Sequence, residues 1–145
     1  MTGATLRVIR RLFGLPRPRF RDRVVRVAAE CFNMSDGEVL SLATKAQAAG
    51  DAARAAPLLS VAAERGVVEA QFRLGEMFTK GDVPTERFPQ GELSYRMQVA
   101  GVRWLTAAAQ AGHSEAAARL ASIVLIDADT TQREGAPARS ELEER

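Results

Sequence analysis

The sequence predicts an all-α protein built as a short α-solenoid of helix-turn-helix units, and three observations carry that prediction. First, alanine is frequent and aromatic residues make up only 6% of the 145 residues, a composition that favours helices packed through small side chains. Second, apolar residues recur at helical spacing along much of the chain. Third, one block of sequence occurs twice in the same register, which is typical of repeat proteins.

The repeat consists of two sequence blocks, and both blocks recur at the same offset. Residues 59–66 (LSVAAERG) return 46 positions later as residues 105–112 (LTAAAQAG), and residues 69–74 (EAQFRL) return as residues 115–120 (EAAARL). In each copy we expect the closing glycine to end one helix in the left-handed conformation, while a glutamate opens the next helix. Paired helices repeated every 20 to about 50 residues indicate an α-solenoid, in which each unit buries its apolar face against its neighbour.

Part of this repeat also resembles a known family. The phrases AAERG and EAQFRLG within residues 62–75, followed by Phe78 and Gly81, are similar to the Sel-one-like repeat, a relative of the tetratricopeptide repeat. The resemblance covers roughly residues 51–125 and is weaker in the second copy. It implies a short right-handed α-solenoid that binds another protein or a peptide in its concave groove.

The expected elements begin with two N-terminal helices. A short helix at residues 5–13 ends before two prolines, and helical spacing resumes over residues 20–32. Ser35 and Glu38 then form a capping-box signature, which predicts a helix over residues 36–49.

Four further helices are expected. Gly50 and Asp51 end one helix and cap the next, which runs to about residue 65. The 46-residue offset is longer than the family period, so we expect a loop insertion between Gly81 and Gly91, where prolines forbid a regular helix. The remaining helices are expected at residues 68–80, 92–111 and 114–127. The 92–111 segment has two apolar stripes and should be covered on two sides, with Tyr95 and Trp104 in the core.

The chain is thus expected to have three regions. Residues 1–34 form a basic N-terminal arm and the first helix, and residues 35–127 form the helical repeat domain. Residues 128–145 contain a single leucine, several charged residues and Pro137, so they are expected to form a disordered tail.

The register of the second repeat helix identifies candidate groove residues, and Phe72 is the most informative of them. An exposed aromatic side chain would be a natural hot spot for a partner, but cover by another part of the same chain is an equally open alternative. The full set of candidates is Glu69, Phe72, Glu76, Thr79, Lys80, Glu115 and Ser122, with Leu125 and Ile126 nearby.

Charge is distributed unevenly along the chain. Residues 1–26 carry eight arginines against Asp22 alone, a formal charge of +7, and the net charge of +2 leaves −5 for the rest. An alternative function is therefore a regulator whose basic arm makes weak contact with nucleic acid or an anionic membrane surface. The arm residues are Arg7, Arg10, Arg11, Arg17, Arg19, Arg21, Arg23 and Arg26.

Enzyme chemistry is not expected. His113 is the only histidine and has no cysteine or serine motif beside it to activate, so we interpret it as a structural residue in a repeat turn. Cys31 is the only cysteine, and we expect it to be buried on an apolar helix face. One histidine and one cysteine cannot complete a zinc site. No metal, cofactor or small-molecule substrate is therefore expected.

A lone cysteine favours a reducing compartment, so the expected location is cytoplasmic. Arginines interrupt the apolar run at residues 6–15 that a secretory signal would need. An organellar transit peptide remains an alternative for the same arginine-rich segment.

Overall fold

The computed structural model describes residues 19–85 and 93–134, and these residues form helices and no strand. The all-α class is confirmed for this part of the chain, whereas the expected helix at residues 5–13 lies outside it. The helices are α1 (Phe20–Glu30), α2 (Asp36–Ala48), α3 (Ala52–Glu64), α4 (Val68–Lys80), α5 (Tyr95–Gln110) and α6 (Ser114–Glu134).

The repeated turn has the same backbone structure in both copies. Gly66 and Gly112 adopt φ angles of +88° and +95°, in the left-handed region that side-chain-bearing residues rarely enter. The N–H of Val67 donates to the carbonyl five residues earlier at 3.1 Å, and that of His113 does the same at 3.0 Å. The expected glycine-terminated helix ends are therefore confirmed at α3 and α5.

Polar side chains start the helices where the sequence predicted. The Ser35 hydroxyl accepts from the Glu38 N–H at 3.3 Å, and the Glu38 carboxylate accepts from the Ser35 N–H at 2.7 Å, so the capping box of α2 is confirmed. The Asp51 carboxylate likewise accepts from the Arg54 N–H at the start of α3.

Helix α3 lies at the centre of the packing. Every residue from Ala55 to Ala63 is buried, because α1, α2 and α4 all pack against this helix. The order then continues along the chain, with α4 packed on α5 and α5 on α6. Cys31 is 2% exposed and belongs to the main core, as expected.

Tyr95 does not belong to the core, contrary to the expectation from the stripes. The helix starts at Tyr95 rather than at residue 92, and this side chain is 79% exposed. The buried stripe of α5 runs through Met97, Gly101, Leu105 and Ala108. Tyr95 precedes Met97 by two positions, which is about 200° around a helix and points it away from that stripe. Trp104 packs against the main core.

Helix α6 is longer than expected. It continues to Glu134, into the segment expected to begin the tail at residue 128, while residues 135–145 lie outside the described residues. The sequence has no glycine or proline between Gly112 and Gly135, so nothing breaks the helix before that point. No helix in the described part of the chain is long and apolar enough to cross a membrane.

Candidate partner-binding surface

A polar network connects α4 to its neighbours on both sides. The Arg73 Nε donates to the Glu69 carboxylate at 2.6 Å, one turn earlier in α4. The Arg73 guanidinium also donates to the Thr44 hydroxyl and the Gln47 amide oxygen of α2, each at 3.3 Å. The second Glu69 oxygen lies 3.1 Å from His113 Nε2. Glu69 and Arg73 thus link α2, α4 and the α5–α6 turn.

His113 has a structural role at the start of α6. Its Nδ1 accepts from the Ala116 N–H at 3.2 Å, which is the geometry of an N-cap. Because Nδ1 is an acceptor, the neutral ring carries its proton on Nε2 and donates it to Glu69. The side chain is 16% exposed, and the turn position agrees with the sequence-based interpretation.

The carboxylate of Glu69 is stabilised in its charged form. The hydrogen bond from Arg73 is the main cause that lowers the pKa of Glu69 below its ordinary value of 4.5, and the contact with His113 lowers it further, while burial acts in the opposite direction. The network is therefore strongest when Glu69 is ionised.

Phe72 is covered by its own chain. Its ring stacks on that of His113 with centroids 4.4 Å apart and an interplanar angle of 23°. The side chain also packs against the small cluster of Leu105, Ala108 and Ala116. Of the two alternatives for this residue, the structure shows the intramolecular one.

Glu76 makes the third connection between α4 and α6. One carboxylate oxygen lies 2.7 Å from the Lys80 amine within α4, and the other lies 2.7 Å from Arg119 Nε of α6. The Glu76 side chain is only 20% exposed, so the Arg119 pair is partly shielded from solvent.

The predicted groove residues therefore separate into two groups. The structure brings Glu69, Phe72 and Glu76 together on one face of α4, where they contact the α5–α6 pair. Lys80 and Glu115 are exposed, and the hydroxyls of Thr79 and Ser122 each donate to a backbone carbonyl three residues earlier in the same helix. A role for this set in binding a partner stays a prediction.

A different surface consists of exposed apolar residues of α6. We call residues 124–132 of α6 the α6 end. Its first three residues, Val124, Leu125 and Ile126, are 64%, 69% and 63% exposed. Consecutive helical residues point about 100° apart, so the exposure of all three means that no described part of the chain covers this stretch of α6.

Exposed residues of α5 lie beside the α6 end. The two helices are joined by a tight turn at Gly112 and pack against each other, so they run antiparallel. Val99 and Leu125 stand at equal sequence distances from Gly112, which places them at the same height. Val99 is 42% exposed and Tyr95 is 79% exposed. Sequence reasoning missed this apolar area because periodicity alone assigned Tyr95 to the core.

The described part of the basic arm belongs to α1. Arg23 donates to the carbonyl of Pro84 and lies over the Phe20 ring at 5.7 Å, while Arg21 and Arg26 are exposed. The Arg19 N–H donates to the Asp22 carboxylate. The other members, Arg7, Arg10, Arg11 and Arg17, lie outside the described residues.

Neither a metal site nor a similarity to a known protein points to a further functional site. Within residues 19–85 and 93–134, no group of three histidine, cysteine, aspartate or glutamate side chains could hold a metal ion. No family model, curated protein or solved structure matches the chain.

Proposed function

We propose that this chain is a non-enzymatic interaction module of Sel-one-like or tetratricopeptide-like repeats that binds another protein. The glycine turn that occurs at both Gly66 and Gly112 and the packing of successive helices against one another support the repeat architecture. Repeat proteins of this kind present extended helical surfaces to their partners. The proposal involves no cofactor and no small-molecule substrate.

The exposed α6 end is the observation that carries this proposal. In repeat proteins each helical unit buries its apolar face by stacking on its neighbour. The last described helix, α6, instead presents Val124, Leu125 and Ile126 to solvent. Contiguous exposed apolar side chains on a folded domain are typical of interaction sites. A protein partner would bury them.

The α6 end is a better candidate than a concave groove lined by α4. Glu69, Phe72 and Glu76 already bind side chains of α5 and α6, so a partner would have to replace contacts that stabilise the fold. α3 is buried along most of its length and offers no accessible side. The apolar residues of the α6 end have no such competing contacts with the described residues.

Affinity capture from a native cell extract tests the proposal, with three forms of the full chain as baits. Leu125→Glu places a charge in the α6 end, whereas Val25→Glu places the same charge at a similarly exposed apolar residue of α1, 62% exposed against 69%. We expect wild type and Val25→Glu to capture the same protein and Leu125→Glu to lose it. Undiminished capture by Leu125→Glu, or equal loss with both variants, would show the surface to be wrong.

A further inference from the structure

The N-terminal segment leaves the described structure at one particular end of the molecule. Phe20, the first residue of α1, packs edge-to-face on Phe78 in the last turn of α4, with ring centroids 6.0 Å apart. Arg23 binds the carbonyl of Pro84, just after α4. Residues 1–18 therefore start from the C-terminal end of α4.

The α6 end lies at that same end of the molecule. Glu69 contacts His113, and Glu76, two turns farther along α4, contacts Arg119, two turns farther along α6. The two helices therefore run parallel. At 1.5 Å per residue, Val124 lies about 7 Å beyond Arg119, so the α6 end projects past the level where α4 finishes.

The segment is long enough to reach this surface. α4 contacts Phe20 of α1 on one side and Arg119 of α6 on the other. A helix with its side chains is about 10–12 Å across, so two such side-chain contacts separate the starting point from the α6 end by about 20–25 Å. Eighteen residues span about 60 Å when extended and about 27 Å as a helix.

The two surfaces are chemically complementary. Residues 1–18 contain four arginines and no acid, with Leu6, Ile9 and Phe13 at the spacing of one helical face. The α6 end exposes three aliphatic side chains and the carboxylate of Asp127, and none of residues 124–132 is basic. Apolar burial and opposite charge would act together in their contact.

The other end of the chain fits this surface less well. Residues 135–145 contain three glutamates against two arginines and only one leucine. They would bring like charge to Asp127 and little apolar area. The basic segment is the better occupant on both counts.

We propose that residues 1–18 of this chain dock on the α6 end of the same molecule. The arm then covers the apolar residues in the absence of a partner, and a partner must displace it. Only this regulatory consequence rests on the proposed function, because the intramolecular contact needs no partner.

Disulfide trapping in the full chain tests the contact. In a Cys31→Ala background, Ile9→Cys is combined either with Leu125→Cys or with the control Val25→Cys. Val25 is similarly exposed and much closer to residue 9 along the chain, so an unattached arm would react faster with position 25. Circular dichroism and thermal melting verify that each variant folds.

We expect the 9–125 disulfide to form within monomers at least about tenfold faster than the 9–25 disulfide, which corresponds to a preference of about 1.4 kcal/mol for position 125 over position 25. Adding Asp127→Asn or raising the salt concentration should reduce this preference. Faster or equal reaction at position 25 would overturn the proposal, and so would 9–125 disulfides found only in dimers, which would indicate a second copy. Because no partner is present, failure to find one in the capture experiment leaves this result unaffected.

Discussion

Gly75 of α4 and Gly101 of α5 lie against each other where the two helices cross. A Cβ atom at Gly75 would stand 3.1 Å from the Gly101 carbonyl oxygen, and one at Gly101 would stand 2.9 Å from the Gly75 carbonyl oxygen. Both distances are shorter than ordinary carbon–oxygen contacts. The absence of two side chains thus permits the close approach that positions α5, and with it α6, on α4.

Gly101→Ala should lower the free energy of unfolding by about 1 to 3 kcal/mol, because the new methyl group meets backbone atoms and the helices must separate. Its Cβ would also lie 2.6 Å from the Thr79 Cγ2. Urea denaturation measures the change. Gly37→Ala is the control, since no atom lies within 4 Å of its Cβ position, and it should leave stability unchanged or slightly higher. Equal effects of the two substitutions would argue against the close crossing.

Phe72→Ala should destabilise the chain through lost packing on His113 and on the cluster around Leu105. We expect a loss of about 1 to 3 kcal/mol, less than for a fully buried phenylalanine. The matched control is Phe32→Ala, because Phe32 is 80% exposed and its removal should cost almost nothing. Thermal melts of the two variants give the comparison, and similar melting temperatures would contradict the structural role of Phe72.

His113 should stabilise α6 chiefly as its N-cap. His113→Ala removes both the cap and the bond to Glu69, for a loss of about 1 to 2 kcal/mol. His113→Asn keeps an oxygen that can accept from the Ala116 N–H, so its stability should fall between those of wild type and alanine. If urea midpoints show asparagine to be no better than alanine, capping is not the main contribution of this side chain.

The Glu69 network should weaken in acid. Arg73 holds the pKa of Glu69 below 4.5 in the folded chain. The ionised Glu69 therefore contributes its full stabilisation at pH values above the pKa that it has in the unfolded chain. This stabilisation is lost as pH falls through the lower, folded value. The stability difference between wild type and Glu69→Gln should therefore be larger at pH 7 than at about pH 3. Glu64→Gln, at an exposed residue of α3, controls for general charge effects, and a pH-independent difference for Glu69→Gln would contradict the mechanism.

Several local features could be predicted from the sequence because each depends on residues within a turn of one another. The capping box needs only Ser35 and Glu38, and a glycine-terminated helix end needs only a glycine such as Gly66 and the backbone N–H of the residue after it. The start of α5 was placed too early and α6 was ended too soon. Both ends carry a local signal, since the Ser94 hydroxyl accepts from the Met97 N–H at the start of α5 and Gly135 follows the last residue of α6. The prediction instead began α5 after Gly91 and ended α6 where the charged, leucine-poor segment begins.

The candidate site was harder to predict, because exposure depends on which helices become neighbours. Phe72 looked like a groove residue from its register, yet His113 covers it. Leu125 was placed near the groove, and the structure leaves it exposed with Val124 and Ile126. Tyr95 was assigned to the same apolar stripe as Leu105, yet Leu105 is buried and Tyr95 is exposed.

By itself, the sequence determined the all-helical class, most helix boundaries and the duplicated glycine turn, since these follow from hydrogen bonds and spacing within short segments. Only the tertiary structure decided the pairing of Gly75 with Gly101, the bond between Glu69 and His113, and the exposure of Leu125. These relationships depend on how helices distant in sequence cross, which the summed packing of many side chains determines rather than any local pattern.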